Sequence, residues 1–326
     1  MGQIVLKPYK DSCHEQVVQL YLAVTAKYKN AIFWWPGPEE NHNNVYCAFD
    51  GEILVGKGQV EIITIQSQDE TGVYEGTKDG TVESYHQIYM NIKVRPEVSN
   101  QEEVFQLLYG ALYERALVLA QDLPKTHSVQ LCIGNHQAEQ ENSALFEKRG
   151  FTPMYRQYEM EKELNSVQEA PDLHIPELQF IQTALESSDE EQRYLRTEST
   201  IWPEYPLGLH RLRQLKGRTD FTSFAALDPD SQLVASVMVC QENEKSGSIE
   251  EVFVVPAWRK KGIATHLIRY GLQYLQEKGY TAARLSVQTK NEKALELYYQ
   301  SLGFTISGEE HRYEKDLIKI DSLSHR

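Results

Sequence analysis

Apolar and polar positions are most clearly ordered between Ser248 and Leu267. The β-rich apolar run Val252-Phe253-Val254-Val255 stops at Pro256, the pattern of a buried strand. After a short basic loop, Ile263, Leu267, Tyr270, Gly271, Tyr274 and Leu275 follow the 3.6-residue helical period. Gly279 then supplies the residue that ends a helix without steric cost.

Similar patterns run through the rest of the chain. Gln3 to Pro8 reads as a strand, Glu15 to Lys27 as a helix, and Val45 to Phe49 with Ile53 to Ile65 as a hairpin turning at Asp50-Gly51. A polar, acidic loop is expected around Gln66 to Glu83, followed by a strand from Ile88 to Val94 that ends before Pro96. A helix is marked by Val104, Leu107, Leu108, Ala111, Leu112 and Leu119. Then come a strand from Val129 to Ile133, a short helix from Ser143 to Arg149, and the start of a last strand pair at Gly150-Phe151. Residues 165–173 are polar, contain a proline and read as a linker. Beyond them lie a strand from Phe180 to Ala184, a polar helical region, and a hairpin through Asp228-Pro229-Asp230. The chain closes with a strand from Arg284 to Val287, a helix from Asn291, and Leu302-Gly303-Phe304. Landmarks repeat between the halves, Trp35 with Trp202, Pro96 with Pro256 and Gly150-Phe151 with Gly303-Phe304, which indicates an internal duplication.

The length of 326 residues fits two domains. No apolar run approaches the ~20 residues of a membrane span, and the opening Met-Gly-Gln has neither the basic nor the apolar region of a signal peptide, so a soluble, cytoplasmic protein is expected. Cys13, Cys47, Cys132 and Cys240 form no CxxC pair, which points away from disulfides and metal clusters. A net charge of −14 argues against nucleic acid as a partner. Residues 1–164 carry 14 Lys+Arg against 23 Asp+Glu, and the remainder 19 against 24, so the first half holds most of the acidic excess.

The basic loop Arg259 to Gly262 lies where a strand hands over to a helix N-terminus. Free backbone N–H groups and the positive end of the helix dipole face outward there, a phosphate-binding arrangement. Arg259-x-x-Gly262-x-Ala264 resembles the (Q/R)xxGx(G/A) pyrophosphate loop of the GCN5-related N-acetyltransferase (GNAT) family. Val287-x-x-x-Asn291-x-x-Ala294-x-x-Leu297-Tyr298 and Leu302-Gly303-Phe304 resemble that family's later motifs, in order and spacing, over roughly residues 174–317. The chain therefore resembles a tandem GNAT protein. The expected fold is α/β (α+β), with two lobes, 1–164 and 174–317, each a mixed, mostly antiparallel sheet flanked by helices.

The first half resembles the family in architecture alone. Aligned on the prolines, Ser99, Glu102 and Val104 stand where Arg259, Gly262 and Ala264 are, and Met90-Asn91 replace Glu250-Glu251. Two unit charges ~4 Å apart at an effective dielectric near 20 repel by ~4 kcal/mol, so Glu102 and Glu103 oppose a pyrophosphate. Leu145-Phe146 supply no phenol. This lobe is expected to be degenerate, with the chemistry in the second.

The resemblance implies acetyl-CoA as cosubstrate. Its pantetheine arm would pair with the backbone of Val252, Phe253 and Val254, and its pyrophosphate with amides from Lys260, Lys261, Gly262, Ile263, Ala264 and Thr265, next to Arg259. A strand amide near Val254 would donate to the developing oxyanion. Asn291 caps its helix, hydrogen-bonds the pantetheine, or does both. An amine with a pKa near ~10 is mostly protonated at neutral pH, so a base is required. Some relatives carry a glutamate on the fifth strand, where this chain has Ser286, which leaves Glu250 or Glu251. Adjacent strand residues face opposite sides, so one of the two is expected to face the amine. Tyr298, seven residues after Asn291, is the expected acid. Tyr299 is the alternative by counting back from Gly303-Phe304, and is otherwise expected in the core.

The function expected is N-acetyl transfer from acetyl-CoA to the primary amine of a small molecule or peptide. The rival is a non-catalytic acyl-CoA-binding or scaffold protein. Tandem lobes in one chain take the place of a dimer, so a monomer without nucleic-acid or membrane partners is expected. Trp34-Trp35-Pro36 either joins the lobes or walls the acceptor cleft, because adjacent indoles are costly to leave in water.

Overall fold

The computed structural model describes residues 3–65, 85–165, 173–202 and 206–319. The acidic loop at 66–83, most of the linker, and Pro203, Glu204 and Tyr205 of the second tryptophan-proline loop lie outside the described residues. The chain forms two compact units. Unit 1 holds described residues 3–65, 85–156 and 310–319, and unit 2 holds 157–165, 173–202 and 206–309.

Unit 1 runs β1 (Ile4–Pro8), α1 (His14–Lys27), β2 (Val45–Asp50), β3 (Ile53–Thr64), β4 (His86–Val94), α2 (Gln101–Gln121), β5 (Val129–His136) and α3 (Gln140–Glu147). β1 to β4 pair antiparallel in sequence order, and β4 pairs with β5 in parallel over His86–Tyr89 and Val129–Cys132. The hairpin turn uses Gly51 at φ +61°. On α2, Val104, Leu108 and Leu112 press onto β3, where Gly58 allows the close approach: a Cβ there would lie 2.4 Å from Leu112.

Next comes β6 (Thr152–Glu163), a single long strand where a strand pair was expected. In unit 2 follow β7 (Gln179–Thr183), α4 (Ser188–Ile201), α5 (Gly208–Lys216), β8 (Thr222–Leu227), β9 (Leu233–Gln241), β10 (Ser246–Val254), α6 (Ile263–Glu277), β11 (Ala282–Gln288) and the short α7 (Glu292–Glu296). β7 to β10 pair antiparallel in order, β10 meets β11 in parallel, and β11 pairs antiparallel with residues 157–163 of β6. α4 starts on a capping box formed by Ser187 and Glu190. α6 lays Ile263, Leu267, Ile268, Leu272 and Leu275 on the sheet and ends at Gly279, φ +90°, where Tyr280 N–H donates to the Leu275 carbonyl at 3.1 Å.

The last strand, β12 (Thr305–Ile318), begins in unit 2, but its residues 310–318 pair antiparallel with β5 in unit 1. The units therefore depart from the expected spans 1–164 and 174–317. Residues 157–163 pair with β11 of unit 2 and 310–318 with β5 of unit 1, because these strands pair across the sequence repeat. Among the described residues no helix is long and apolar enough to cross a membrane. Cys47, Cys132 and Cys240 are buried free thiols, and burial pushes each of them up.

Candidate functional site

β10 builds the site in unit 2. Its parallel pairing with β11 covers only Ser246–Ser248 against Ala282–Arg284, after which the two strands part. On the other side, Glu250 faces Met238 and Phe253 faces Ser236, so β10 carries one extra residue between them. This is a β-bulge. Glu251 occupies it at φ +48°, a left-handed conformation that costs a non-glycine residue of order 1–3 kcal/mol and commonly marks a functional position.

The bulge changes the expected alternation of the two carboxylates. Ile249, Val252 and Val254 face the α6 side, while Phe253 joins the α4–α5 cluster with Tyr194 and Leu212. Tyr194, on α4, feels the charge of Glu251 more than that of Glu250. Their surroundings differ. Glu250 accepts hydrogen bonds from Ser248 Oγ at 2.8 Å and Arg218 Nη1 at 3.3 Å. Glu251 is half-buried and makes no hydrogen bond or ion pair among the described residues. Burial, then the charge of Glu250, lifts its carboxyl to about 7 against the opposing pull of Arg211.

Tyr298 lies in a π-helical turn, Leu297–Ser301, that follows α7. The turn absorbs the extra residue between Asn291 and Gly303-Phe304. It leaves Tyr298 buried and Tyr299 60% exposed, so Tyr299 is not the core residue expected. Burial, then the charge of Glu251, raises the Tyr298 phenol above its ordinary value. The charge of Glu251, on β10, thus reaches Tyr298 from a separate element. Tyr194, from α4, has its ring 5.6 Å from Phe253 and a buried hydroxyl with no partner at hydrogen-bond length, although the Ser236 hydroxyl is a polar neighbour. No motif marks Tyr194 in the polar helical sequence, and only its packing on Phe253 of β10 places it at this site.

The loop has the geometry that phosphate binding needs. Gly262 is the N-cap of α6 at φ +80°, and a Cβ there would meet only Leu173, at 3.9 Å, so its requirement is conformational. The first-turn amides of Ile263, Ala264 and Thr265 have no acceptor within the helix. Arg259 Nε donates to the Val254 carbonyl at 2.9 Å, and Lys261 Nζ lies 4.2 Å from the Trp258 ring centre. Lys260 is exposed at φ +63°. Asn291 Oδ1 accepts from the Ala294 amide at 3.3 Å and caps α7. Ser286, where some relatives have a glutamate, donates to Glu159 Oε1 at 2.9 Å.

The corresponding region of unit 1 is filled by the chain itself. β4 runs without a bulge at Asn91, whose side chain donates to the Ile32 carbonyl at 3.0 Å. Where β4 and β5 part, Asn142 Nδ2 donates to the Ile92 carbonyl and to Asn135 Oδ1, and buried Lys93 pairs with buried Glu139. Lys57 Nζ holds the Trp34 carbonyl at 2.6 Å. α2 begins at Gln101, so Asn100 at φ −104° holds the N-cap position that Gly262 has in α6. This moves the equivalence two residues from the proline alignment that matched Glu102 with Gly262, because the loop is shorter. Glu102 and Glu103 still lie in the first turn. Trp35 packs within its own unit, against Tyr21, Phe33 and His14, beside an open cavity of about 500 Å³.

Residues 185–304 match the model of the acetyltransferase (GNAT) family. A 78-residue stretch is 33% identical to an uncharacterized N-acetyltransferase of Methanocaldococcus jannaschii, covering 24% of this chain and 30% of that relative's length. The fold matches a GCN5-related N-acetyltransferase from Sphaerobacter thermophilus over 97% of this chain and 96% of the other, with a TM-score of 0.67 at 14% identity. It also matches a tandem GNAT protein from the clavulanic acid biosynthesis pathway over 98% and 100% of the two chains, with a TM-score of 0.63 at 12% identity. Residues 185–304 are thus similar to the GNAT acetyltransferases, and the fold of the chain is similar to that of a tandem GNAT protein.

Proposed function

We propose that the protein is an acetyl-CoA-dependent N-acetyltransferase whose chemistry takes place in unit 2. The observation that carries this reading is the bulge in β10, which holds a proton-binding carboxyl, Glu251, beside the buried phenol of Tyr298. The residues fit the cosubstrate: the parted edge of β10 at Val252, Phe253 and Val254 would take the pantetheine, and the α6 amides with the left-handed Gly262 would take the pyrophosphate. Acetyl-CoA supplies the activated acyl group. Glu251, half ionised near pH 7, removes the proton from the acceptor ammonium, and Tyr298 Oη holds the proton that the departing thiolate needs. Glu250 is already engaged by Arg218 and Ser248 and supports the strand. The filled gap between β4 and β5, together with Glu102 and Glu103, supports a single cosubstrate site per chain.

Steady release of CoA thiol with a panel of amines tests the reading. Tyr298→Phe should lower turnover by ~10²- to 10⁴-fold, the range of a positioned acid, with acetyl-CoA affinity by calorimetry unchanged. Tyr299→Phe should behave as the parent. If no amine gives thiol release although acetyl-CoA binds, the protein is an acyl-CoA-binding module instead.

A further inference from the structure

Unit 1 carries a cavity that takes no part in the proposed acetyl transfer. It is the open space of about 500 Å³ lined by Tyr9, Asp11, His14, Val18, Trp35 and Pro36, all of them residues of unit 1. That volume is in the range of small-ligand sites. Three neighbouring rings hold Trp35, with centres 5.2 Å away in Tyr21, 5.3 Å in Phe33 and 6.1 Å in His14, yet 44% of the residue stays exposed. His14 is fixed in turn by a 3.1 Å hydrogen bond between its Nδ1 and the Tyr9 hydroxyl. The same aromatic group already takes one cation, because Nζ of the buried Lys57 lies 5.4 Å from the Phe33 ring centre. No cationic side chain lies over Trp35 among the described residues.

Among the described residues the lining has one carboxylate, Asp11, and no lysine or arginine. Asp11 Oδ1 lies 4.0 Å from His42 Nε2, but that nitrogen donates to the Gly37 carbonyl at 3.2 Å. The carboxylate therefore accepts no hydrogen bond from the described residues. Indole and carboxylate select the same charge: an aromatic face attracts a cation through its quadrupole, Trp most strongly, and a carboxylate attracts it directly. Residues 1–164 carry 23 Asp+Glu against 14 Lys+Arg, which favours the approach of cations. The space exceeds what a bare ammonium group fills, and Val18 and Pro36 give it an apolar side. Independently of acetyl transfer, we infer that this cavity binds an organic cation, an ammonium or quaternary ammonium group on an apolar body. The cation lies over Trp35 beside Asp11, and the body rests against Val18 and Pro36.

Titration calorimetry on the full chain tests this with probes of matched shape: phenethylammonium, phenethyltrimethylammonium, phenethyl alcohol and 3-phenylpropionate. The quaternary probe has no N–H to acetylate, so its binding is read separately from turnover. Both cations should bind about tenfold more tightly than the alcohol, within the range of a partly desolvated cation–π contact, and the carboxylate should bind most weakly. Trp35→Leu should bring the cations to the level of the alcohol, and Trp35→Phe should recover part of the difference. Asp11→Asn, at an exposed position, should weaken the cations about threefold and leave the alcohol unchanged. If melting shows that Trp35→Leu has lost its fold, Asp11→Asn decides alone. The assignment is overturned if the alcohol or the carboxylate binds as well as the cations, or if no probe binds. It is equally overturned if folded Trp35→Leu or Asp11→Asn keeps the parental affinity for the quaternary cation. CoA-thiol release in unit 2 is measured separately, so either outcome leaves acetyl transfer standing.

Discussion

Replacing Glu251 with Gln separates what the bulge does for chemistry from what it costs the fold. The carboxyl is raised from 4.5 to about 7, so the folded protein binds this proton more tightly than the unfolded chain. Its contribution to stability is therefore complete below about pH 4.5 and is lost as pH rises through 7. Each tenfold in proton affinity is ~1.36 kcal/mol, which sets an upper bound of about 3 kcal/mol. Partial exposure to water reduces this to roughly 1–3 kcal/mol. Gln avoids the charge while keeping shape and backbone. Urea unfolding should show Glu251→Gln equal to the parent at pH 4.5 and more stable by roughly 1–3 kcal/mol at pH 8. In parallel, the parent's kcat/KM should climb to a plateau above about pH 7, while the variant's should be low and flat across that range. A variant less stable than the parent at pH 8 would mean that the carboxylate is held by favourable contacts, and a variant that keeps parental turnover would remove Glu251 from the base's role.

Gly262→Ala should weaken acetyl-CoA binding through strain at φ +80° of order 1–2 kcal/mol, and Gly262→Glu should abolish the single site seen by titration calorimetry; two equivalent sites per chain in the parent would refute the asymmetry. Lys93→Met leaves Glu139 charged and buried without its partner, so the melting transition should register a loss of ~3–5 kcal/mol with no change in acetyl-CoA affinity. Ending the chain after residue 309 removes the strand that pairs with β5, and hydrogen exchange should show loss of protection along β5 while α6 stays protected.

Much of the architecture was legible because local rules determine it. Asp50-Gly51 dictates a hairpin and Gly279 stops a helix whatever the rest of the chain does. The repeat offsets, too, are visible in one dimension. What escaped the sequence depends on partners. The bulge at Glu251 exists only in the register of β10 against β9, and no residue type announces it. Which of Tyr298 and Tyr299 is buried hung on a π turn that adds one residue without changing composition. The exchange of residues 157–163 and 310–318 between the units was hidden because a strand's alternation records which face is buried, not which neighbour it pairs with.

The pairing of β5 with the chain's last strand has a consequence for biosynthesis. Ile133 lies opposite Tyr313, so this edge of the first sheet waits for a segment made about 180 residues later. At ~5–20 residues per second that is roughly 10–40 s of translation. Throughout that interval the nascent chain presents Leu131, Cys132 and Ile133 on an open strand edge, the kind of surface that recruits other strands. The first unit can close only after residues 310–318 have been made and have emerged, although the strand that closes it follows all of unit 2 in sequence.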